Sequence, residues 1–463
     1  MAHAVRKTAS AVDEMAENLP LIDALMAGTR AMRKAGDKLL PMWPNEEKAS
    51  YEKRLAVATL FPAYQHTVKV LAAKPFSKPV SFGDDVPARI LQWCDDIDLQ
   101  GRNLHVFAAS LCEDALARGH CGILVDYPKA IGVRTQADEV AAGVRPYFVH
   151  VHLGNILGWK SQRVNGATVL TQLRLLELVT EDDGEFGERT IEQVRVLTIG
   201  AWSLYRETKD NTGKSDWVLY DSGITTLKMI PFVPVYGRRT GFLTSMPPLL
   251  ELAHLNVKHW QSQSDQDTIL HVARVPILTL TGGDENSQIT VGAGSAVKLP
   301  QGGTLSFTEH TGASIEAGRL SLKDLEDQMR QTGAELLVIK PGNITEAQTV
   351  ADNEPGMCAL QRIAEGVEDA LDMALQIMAS WVGEANGGNV SLYKDFGAAT
   401  LAEASAELLL KSNMAGKLSD QSYFEELQRR GIIAPDRKWD QELERVQDQA
   451  PALGDVGGNG NGE

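Results

Sequence analysis

The sequence has few of the features that define disulfide-rich, metal-binding or membrane proteins. Its 463 residues include only 4 cysteines, and these form no close CxxC pair: Cys94, Cys112, Cys121 and Cys358. Such sparse cysteines favour buried free thiols in a reducing compartment over disulfides or a zinc site. An apolar run long enough for a signal peptide or a membrane span is also missing. We therefore expect synthesis in the cytoplasm and no membrane contact.

Catalytic motifs are missing as well. The patterns GxxxxGK[ST], GxGxxG, HExxH and GxSxG do not occur. These patterns would have indicated phosphate loops, dinucleotide binding, zinc proteases or hydrolases. The sequence therefore predicts a protein that is not an enzyme and that uses no cofactor.

An excess of basic residues is missing too. Lys and Arg total 45 against 61 Asp and Glu, which gives a formal charge of -16. The summed field repels polyanions, so a general nucleic-acid binder is disfavoured. The same sign suits a surface past which DNA slides without sticking, because phosphate contacts provide non-specific affinity.

The length and the first 130 residues predict a helical entry followed by a strand. A chain of 463 residues exceeds one compact core, so more than one structural region is expected. Apolar spacing predicts helices within 10–75, over 84–97 and over 104–118, the last ending at Gly119. The run Gly122 to Pro128 then predicts a buried strand.

From residue 147 to residue 235 the apolar residues alternate with a period of two. Segments such as YFVHVHL, TQLRLLELV and QVRVLTI are separated by breaks rich in Asp and Gly at 181–184 and 209–213. This pattern predicts an antiparallel meander. With the preceding helices, it predicts the α+β class.

The next segment predicts a helix of unusual polarity. Ser245, Pro247 and Pro248 suit a helix start, and the helix extends to about Val275. Between 256 and 268 it is polar nearly all round. Such a helix has little reason to pack on a core, so we expect it to bridge regions or to pack in an assembly.

The remaining sequence predicts a β insert followed by helices. Short strands are expected between Pro276 and 311, then a helix over 315–332, a loop, and a long helix over 357–381. Near the C-terminus, two helices flank a break at Gly416; the second is capped by Ser419 or Asp420 and stops at Gly431. The glycine-rich tail predicts disorder.

Two histidines are the main candidates for chemistry. His150 and His152 alternate within FVHVHL, which could present two metal ligands on one strand face. No Cys or acidic residue stands close to them in the sequence, so a structural role is favoured and no metal is expected. The alternative is a metal-dependent nuclease or phosphodiesterase that uses this pair with neighbouring acids.

Other polar groups carry weaker signals. The acidic runs Asp95, Asp96, Asp98 and 181–183 could bind Mg²⁺ in a nuclease, but solvated turn charges explain them more simply. His254, His259 and His271 lie on the polar helix at offsets that do not place them on one face.

The segment ARGHCGILVDYP, Ala117 to Pro128, follows directly after the segment DIDLQGRNLHVFAASLCEDAL. Together, the two segments resemble a phage family of unknown function, DUF4055, which is regarded as portal-like. The likeness covers roughly residues 40–435. The element order from Pro247 to Trp381 resembles the stem, clip, stem, tunnel-loop and wing succession of portals. MAGKLSDQSYFEELQRRGIIAPD is similar to their C-terminal helix, break and helix.

The resemblance implies a portal-like subunit that assembles into a cyclic ring, a dodecamer in this family. The implied segments are a wing over 1–246, a stem helix over 247–275, a clip over 276–311, a second stem helix over 312–333, a tunnel loop over 334–353, a long wing helix over 354–395, a crown over 396–447 and a disordered tail over 448–463.

The implied function is a DNA conduit at one capsid vertex, which docks the large terminase subunit during packaging and the head-tail adaptor afterwards. Further implied partners are the capsid or scaffolding protein and genomic double-stranded DNA, which passes without sequence specificity. Another head protein, such as an adaptor or minor capsid component, is the structural alternative. The channel candidates are Lys340, Asn343, Glu346 and Lys258; the clip docking candidates are Asp284, Glu285 and Lys298.

Overall fold

The computed structural model describes residues 3–128, 143–209, 215–273, 277–281, 304–308, 313–337, 357–395, 410–429, 433 and 437–447. The chain divides into two compact units, Met1–Leu392 and Tyr393–Glu463. Helices and antiparallel strands are mixed in the first unit, which confirms the α+β prediction. In the described part of the chain, no helix combines the length and apolarity needed to cross a bilayer.

Eight helices form the entry region that the apolar spacing predicts. They are α1 His3–Arg6, α2 Ser10–Ala16, α3 Leu19–Ala27, α4 Thr29–Ala35, α5 Lys48–Val57, α6 Ala63–Ala73, α7 Ala88–Trp93 and α8 Leu104–Arg118. The helix predicted over 84–97 is shorter than expected, because α7 begins after Pro87 and ends in a 3-10 turn.

Helix α8 has the boundaries that its sequence predicts. The Asn103 side chain accepts a hydrogen bond from the Val106 N–H at 2.9 Å and caps the first turn. Gly119 ends the helix in the left-handed region, with φ at +82°. A Cβ atom there would lie 2.4 Å from the Met246 carbonyl carbon, so both the backbone conformation and the close approach require glycine.

The strands form one buried sheet, one large meander and three short pairs. Their bounds are β1 Ser81–Phe82, β2 His120–Asp126, β3 Tyr147–His152, β4 Ile156–Val164, β5 Ala167–Asp183, β6 Gly187–Thr198, β7 Ala201–Lys209, β8 Ser215–Ile224, β9 Phe232–Tyr236, β10 Arg238–Gly241, β11 Thr244–Met246, β12 Ile277–Thr281, β13 Thr304–Thr308 and β14 Val390–Ser391.

Strand β2 is the centre of the buried sheet, whose order is β3-β2-β9, and all its pairings are antiparallel. Residues 120–125 are buried, which fits their nearly continuous apolar run. Helix α8 packs on this sheet. In the register, Cys121 lies opposite His152 and Ile123 lies opposite His150, so side chains from both strands point to the same face.

The meander β4-β5-β6-β7-β8 confirms the antiparallel module predicted from the period of two. One expected turn is wrong in detail. Strand β5 continues through Asp183, which pairs with Gly187, so the acidic run 181–183 lies on a strand. Glu181 contacts Arg206 at 2.6 Å, and this pairing explains how the strand accepts the charge. Most of the second turn, 210–213, lies outside the described residues.

The segment after β11 contains a helix, a hairpin and two more helices. Helix α9 spans Leu250–Ala273, β12 pairs with β13, and α10 spans Ala313–Ala334. Helix α11, Ala359–Val382, packs across β2 and β9. These elements confirm the predicted order, while residues 282–303 of the predicted β insert and residues 338–356 of the predicted loop lie outside the described residues.

The second unit contains helices α12 Asp420–Arg429 and α13 Trp439–Gln447, and residues 410–414, before the break at Gly416, are helical as well. Gly416 breaks the chain before α12 with φ at +67°, as predicted. Ser419 is the cap, because its Oγ accepts from the Ser422 N–H at 3.1 Å. Helix α13 lies outside the predicted elements and packs through Trp439 on buried Phe424. Gly431 and the tail 448–463 lie outside the described residues.

Candidate functional site

Helix α9 corrects the expectation that a helix polar on every side cannot pack on a core. Asn256 is fully buried. Its Oδ1 accepts from the Tyr64 N–H at 2.9 Å, and its Nδ2 donates to the Phe61 carbonyl at 2.8 Å. The amide thereby satisfies the Tyr64 N–H, which has no intrahelical partner, and adds a second bond to the Phe61 carbonyl, which also accepts from the Ala63 N–H at 2.9 Å. Asn256 packs in the core because its partners are backbone atoms.

A second polar contact holds the middle of α9. The buried guanidinium of Arg54 on α5 donates to Glu46 at 2.8 and 2.9 Å and to the Ser264 hydroxyl at 3.4 Å. Trp43 stacks on the same guanidinium at 4.2 Å and donates to Asp265 at 3.1 Å. The Arg54 hydrogen bond lowers the pKa of Glu46 against the opposing effect of burial. Charge therefore links α9 to the entry helices.

The contact between α9 and α10 combines a narrow apolar stripe with polar pairs. The buried side chains of α10 are Leu322, Leu325 and Met329, at offsets of three and four. On α9, Gln266 donates to the Ile315 carbonyl at 2.9 Å. Buried His259 lies 3.8 Å from Glu326, an ion-pair distance, and burial lowers its pKa. Most of the remaining surface of α10 is exposed.

Lys258 lies on the exposed side of α9. Glu251, His254 and Lys258 follow one another at offsets of three and four, so they share one face, and all three are exposed. Within the described ranges, Lys258 has no ion-pair partner. Trp260 points the opposite way, is 1% exposed and anchors the helix in the core.

The other predicted channel and clip residues cannot be placed. Lys340, Asn343 and Glu346 fall within 338–356, and Asp284, Glu285 and Lys298 fall within 282–303, both outside the described residues.

The two histidines of β3 do have an acidic partner and a nearby thiol, contrary to the sequence-based expectation. Asp114 of α8 is 3% exposed, and its Oδ2 lies 3.1 Å from His150 Nε2 and 2.7 Å from His152 Nδ1. Its Oδ1 accepts from Arg118 at 2.7 Å. Cys121 of β2 completes the group, with its Sγ within 4.8 Å of ligand atoms of Asp114 and His150.

Burial and hydrogen bonding set the charges in this group in opposite directions. Burial raises the pKa of Asp114, but the hydrogen bonds from both histidines outweigh it, so the pKa lies well below its usual range. Burial lowers the pKa of His150 and raises that of Cys121. Asp114 is therefore a buried carboxylate beside a neutral imidazole and a protonated thiol.

The sequence contained one signal for this group. Asp114 is the charged member of a helix face whose other positions are apolar and buried, including Leu111 and Ala115. A carboxylate at such a position requires partners, and they come from strands that the chain reaches only later. The four cysteines are all free and buried, as predicted.

Within the acidic run 95–98, Asp95 is exposed, as the interpretation as solvated turn charge expects, but Asp98 differs from it. Asp98 is 2% exposed and accepts hydrogen bonds from the backbone N–H groups of Gln100 and Arg102 at 2.9 and 3.2 Å. The Arg102 guanidinium lies on its other oxygen. These bonds lower the pKa of Asp98 against the effect of burial. Asp98 thus holds the loop before α8 and is not a free ligand.

A family model described as a domain of unknown function, DUF4055, matches residues 248–382. The matched span begins at the start of α9 and ends at the last residue of α11, so it coincides with the helix, hairpin, helix and long-helix segment. It is narrower than the likeness expected over 40–435 and does not include Ala117 to Pro128. No curated protein matches the chain.

Solved structures similar to the chain come from gene transfer agent particles. A chain from the virion of the native particle has a TM-score of 0.40 and 13% identity, covering 86% of this chain and 98% of that one. A chain from the neck of the empty particle gives 0.38 and 12%, with coverages of 80% and 90%. A chain from the native neck gives 0.39 and 10%, with 80% and 89%.

Proposed function

We propose that the chain is a subunit of a phage portal, a closed ring that passes double-stranded DNA at one capsid vertex and makes or breaks no bond. The observation that carries the proposal is the segment from α9 to α11. Two long helices pack side by side with a β hairpin between them in sequence, and a third helix returns to the buried sheet. This is the order of stem, clip, stem and wing that the resemblance implies.

The exposed surface of α10 supports an assembly. Only a narrow stripe of this 22-residue helix is buried in the isolated subunit, and the rest presents mixed charges, including Glu316, Arg319 and Arg330. A ring is built from heterologous contacts, in which one face of a subunit matches a different face of the next. A broad polar helix face of both signs suits such a contact.

Charge supports the passage of DNA without capture. The chain carries a formal charge of -16, so a ring of identical subunits repels a polyanion over most of its surface. Lys258 is an exposed cation that every subunit repeats. A single ring of such cations contacts phosphates without reading sequence, which suits a conduit for a whole genome.

In this proposal, the clip docks the large terminase subunit during packaging and the head-tail adaptor afterwards, while the tunnel loop contacts the DNA. The clip residues Asp284, Glu285 and Lys298 and the loop residues Lys340, Asn343 and Glu346 remain the predicted contacts. The capsid or scaffolding protein surrounds the wing.

The decisive test is the assembly state of the full chain. Native mass spectrometry with negative-stain imaging should give a closed ring of about a dozen subunits with a central hole. A monomer or dimer at several salt concentrations would contradict the proposal.

Lys258 offers a test of the channel. In phage that carry only the variant, Lys258→Glu should lower the fraction of DNA-filled heads severalfold, because each ring then presents acids to the passing phosphates. Lys69→Glu changes an equally exposed lysine on α6 and serves as the matched control. If both variants form intact rings and give the same fraction of DNA-filled heads, Lys258 does not face the channel.

A further inference from the structure

We propose that Asp114, Cys121 and His150 bind one divalent transition-metal ion of the zinc class inside each subunit. The three residues come from α8, β2 and β3, and one ligand atom of each lies within 4.8 Å of the others. A carboxylate, a thiol and an imidazole are the three side-chain types that zinc prefers. The site is independent of the proposed conduit function.

The spacing of these atoms suits a metal ion. Zinc bonds of about 2.0–2.3 Å in a tetrahedral arrangement place neighbouring ligand atoms roughly 3.3–3.8 Å apart. His150 Nε2 and Asp114 Oδ2 are already 3.1 Å apart. The Cys121 sulfur therefore has to approach by no more than about 1 Å, which a side-chain rotation provides.

The hydrogen bonds of His150 orient its ring for coordination. The Ser110 hydroxyl donates to the Phe107 carbonyl at 2.7 Å, so its oxygen is left to accept from His150 Nδ1 at 3.4 Å. In the metal-free protein, His150 Nε2–H donates to the Asp114 carboxylate at 3.1 Å. Metal binding replaces this hydrogen bond: the ring proton moves to Nδ1, where Ser110 accepts its hydrogen bond, and the Nε2 lone pair is free for the ion. A metal-bound histidine commonly donates its other N–H in this way.

The two oxygens of Asp114 have separate roles. Oδ1 accepts from Arg118, and Oδ2 accepts from His152 Nδ1, which leaves Oδ2 a second lone pair for the metal. Arg118 and His152 thus hold the carboxylate in a single-oxygen binding mode. The His152 side chain is 51% exposed, so the fourth metal position opens toward the surface, where water or His152 completes the coordination.

The local charges balance when the metal binds. The Cys121 thiol loses its proton to solvent, and the resulting thiolate and the Asp114 carboxylate together neutralise a dication. The positive Arg118 is neutralised by Asp23, which accepts from it at 2.8 Å. The buried site therefore carries no uncompensated charge, which is the condition for burying ions in a protein core.

The thiol distinguishes this site from a simple ion pair. Arg118 and the two histidines already satisfy the Asp114 carboxylate, and the Cys121 thiol donates instead to the Leu111 carbonyl at 3.5 Å, so no hydrogen bond joins the sulfur to Asp114. A soft sulfur ligand favours zinc or cobalt over magnesium or calcium, which prefer oxygen. The bound ion would connect α8 to both β2 and β3.

The test is a titration of the purified full-length protein with Co²⁺ and Zn²⁺. We expect one Co²⁺ per chain, with the absorption band that a cobalt-thiolate bond produces, displacement by one equivalent of Zn²⁺ and no displacement by Mg²⁺. Cys121→Ser should abolish the band and weaken Zn²⁺ binding at least about tenfold. Cys94→Ser changes another buried cysteine, away from the site, and should leave both unchanged.

X-ray absorption at the zinc edge of the wild-type complex keeps the test decisive if Cys121→Ser does not fold. One sulfur and two or three nitrogen or oxygen neighbours are expected. Absence of binding, a cobalt spectrum without the thiolate band, or zinc with no sulfur neighbour would each overturn the proposal. The last two results would indicate adventitious binding at the exposed His152.

Discussion

Helices α9 and α11 are both 24 residues long and lie in the same family-matched segment, yet they attach to the protein by different physics. Helix α11 buries an apolar face at helical spacing, with Leu360, Ile363, Val367, Leu371 and Leu375 on the sheet side. Helix α9 has a mixed face, and its polar side chains bond to backbone groups and charges of other helices. Burial of apolar surface holds α11 on the protein, and directed hydrogen bonds hold α9.

Substitutions lower the stability of the two kinds of contact in different ways. An apolar face loses stability in proportion to the atoms removed and to the cavity that remains. A polar face loses little until one partner is deleted, and then the buried partner group is left unsatisfied. The comparison predicts which substitutions each helix tolerates.

The largest effect is expected in the apolar face of α11. Leu375 is fully buried, so Leu375→Ala should lower the free energy of unfolding by about 2–5 kcal/mol through lost burial and a cavity. Urea unfolding at fixed protein concentration measures it. Met373 is 49% exposed on the same helix, and Met373→Ala should change stability by less than about 0.5 kcal/mol. Similar losses in both variants would mean that α11 is not held by its apolar face.

A somewhat smaller loss is expected from the polar face of α9. Asn256→Ala removes both hydrogen bonds of the side chain and leaves the buried Tyr64 N–H without a partner, while the Phe61 carbonyl keeps its bond from the Ala63 N–H, at a cost of about 1–3 kcal/mol. His254→Ala, two residues earlier and exposed, is the control. If Asn256→Ala is as stable as the control, the hydrogen bonds do not hold α9, and the contrast between the helices disappears.

Much of the fold follows from local sequence patterns. The period of two predicts the meander, and Asn103 and Gly119 mark the two ends of α8. Both features depend on residues within a few positions of one another. Helix α13 was missed because it has only nine residues and its sequence, WDQELERVQ, is mostly polar.

The candidate sites depend on contacts that no local pattern contains. His150 and Asp114 are 36 positions apart, and Arg54 and Ser264 are 210 positions apart. Periodicity compares residues three or four apart on a helix, or two apart on a strand. It therefore registers Asn256 and Ser264 as polar but cannot show that their partners are buried backbone and charge. The polar stretch of α9 was misinterpreted for this reason.

The smallest effect is expected when pH alters the charge that links α9 to the entry helices. The hydrogen bond from Arg54 lowers the folded-state pKa of Glu46. The Glu46 charge therefore stabilises the fold fully above the unfolded pKa of about 4.3, and this stabilisation is lost as pH falls through the lower, folded pKa. Glu46→Gln keeps the shape without the charge. Its stability deficit relative to wild type, measured by urea unfolding, should be constant near neutral pH and should shrink below about pH 4.3. The effect should be smaller than either truncation, because protonation leaves every heavy atom in place. A deficit that does not shrink at low pH would show that protonating Glu46 does not cost this stability, and the charge of Glu46 would then not contribute to holding α9.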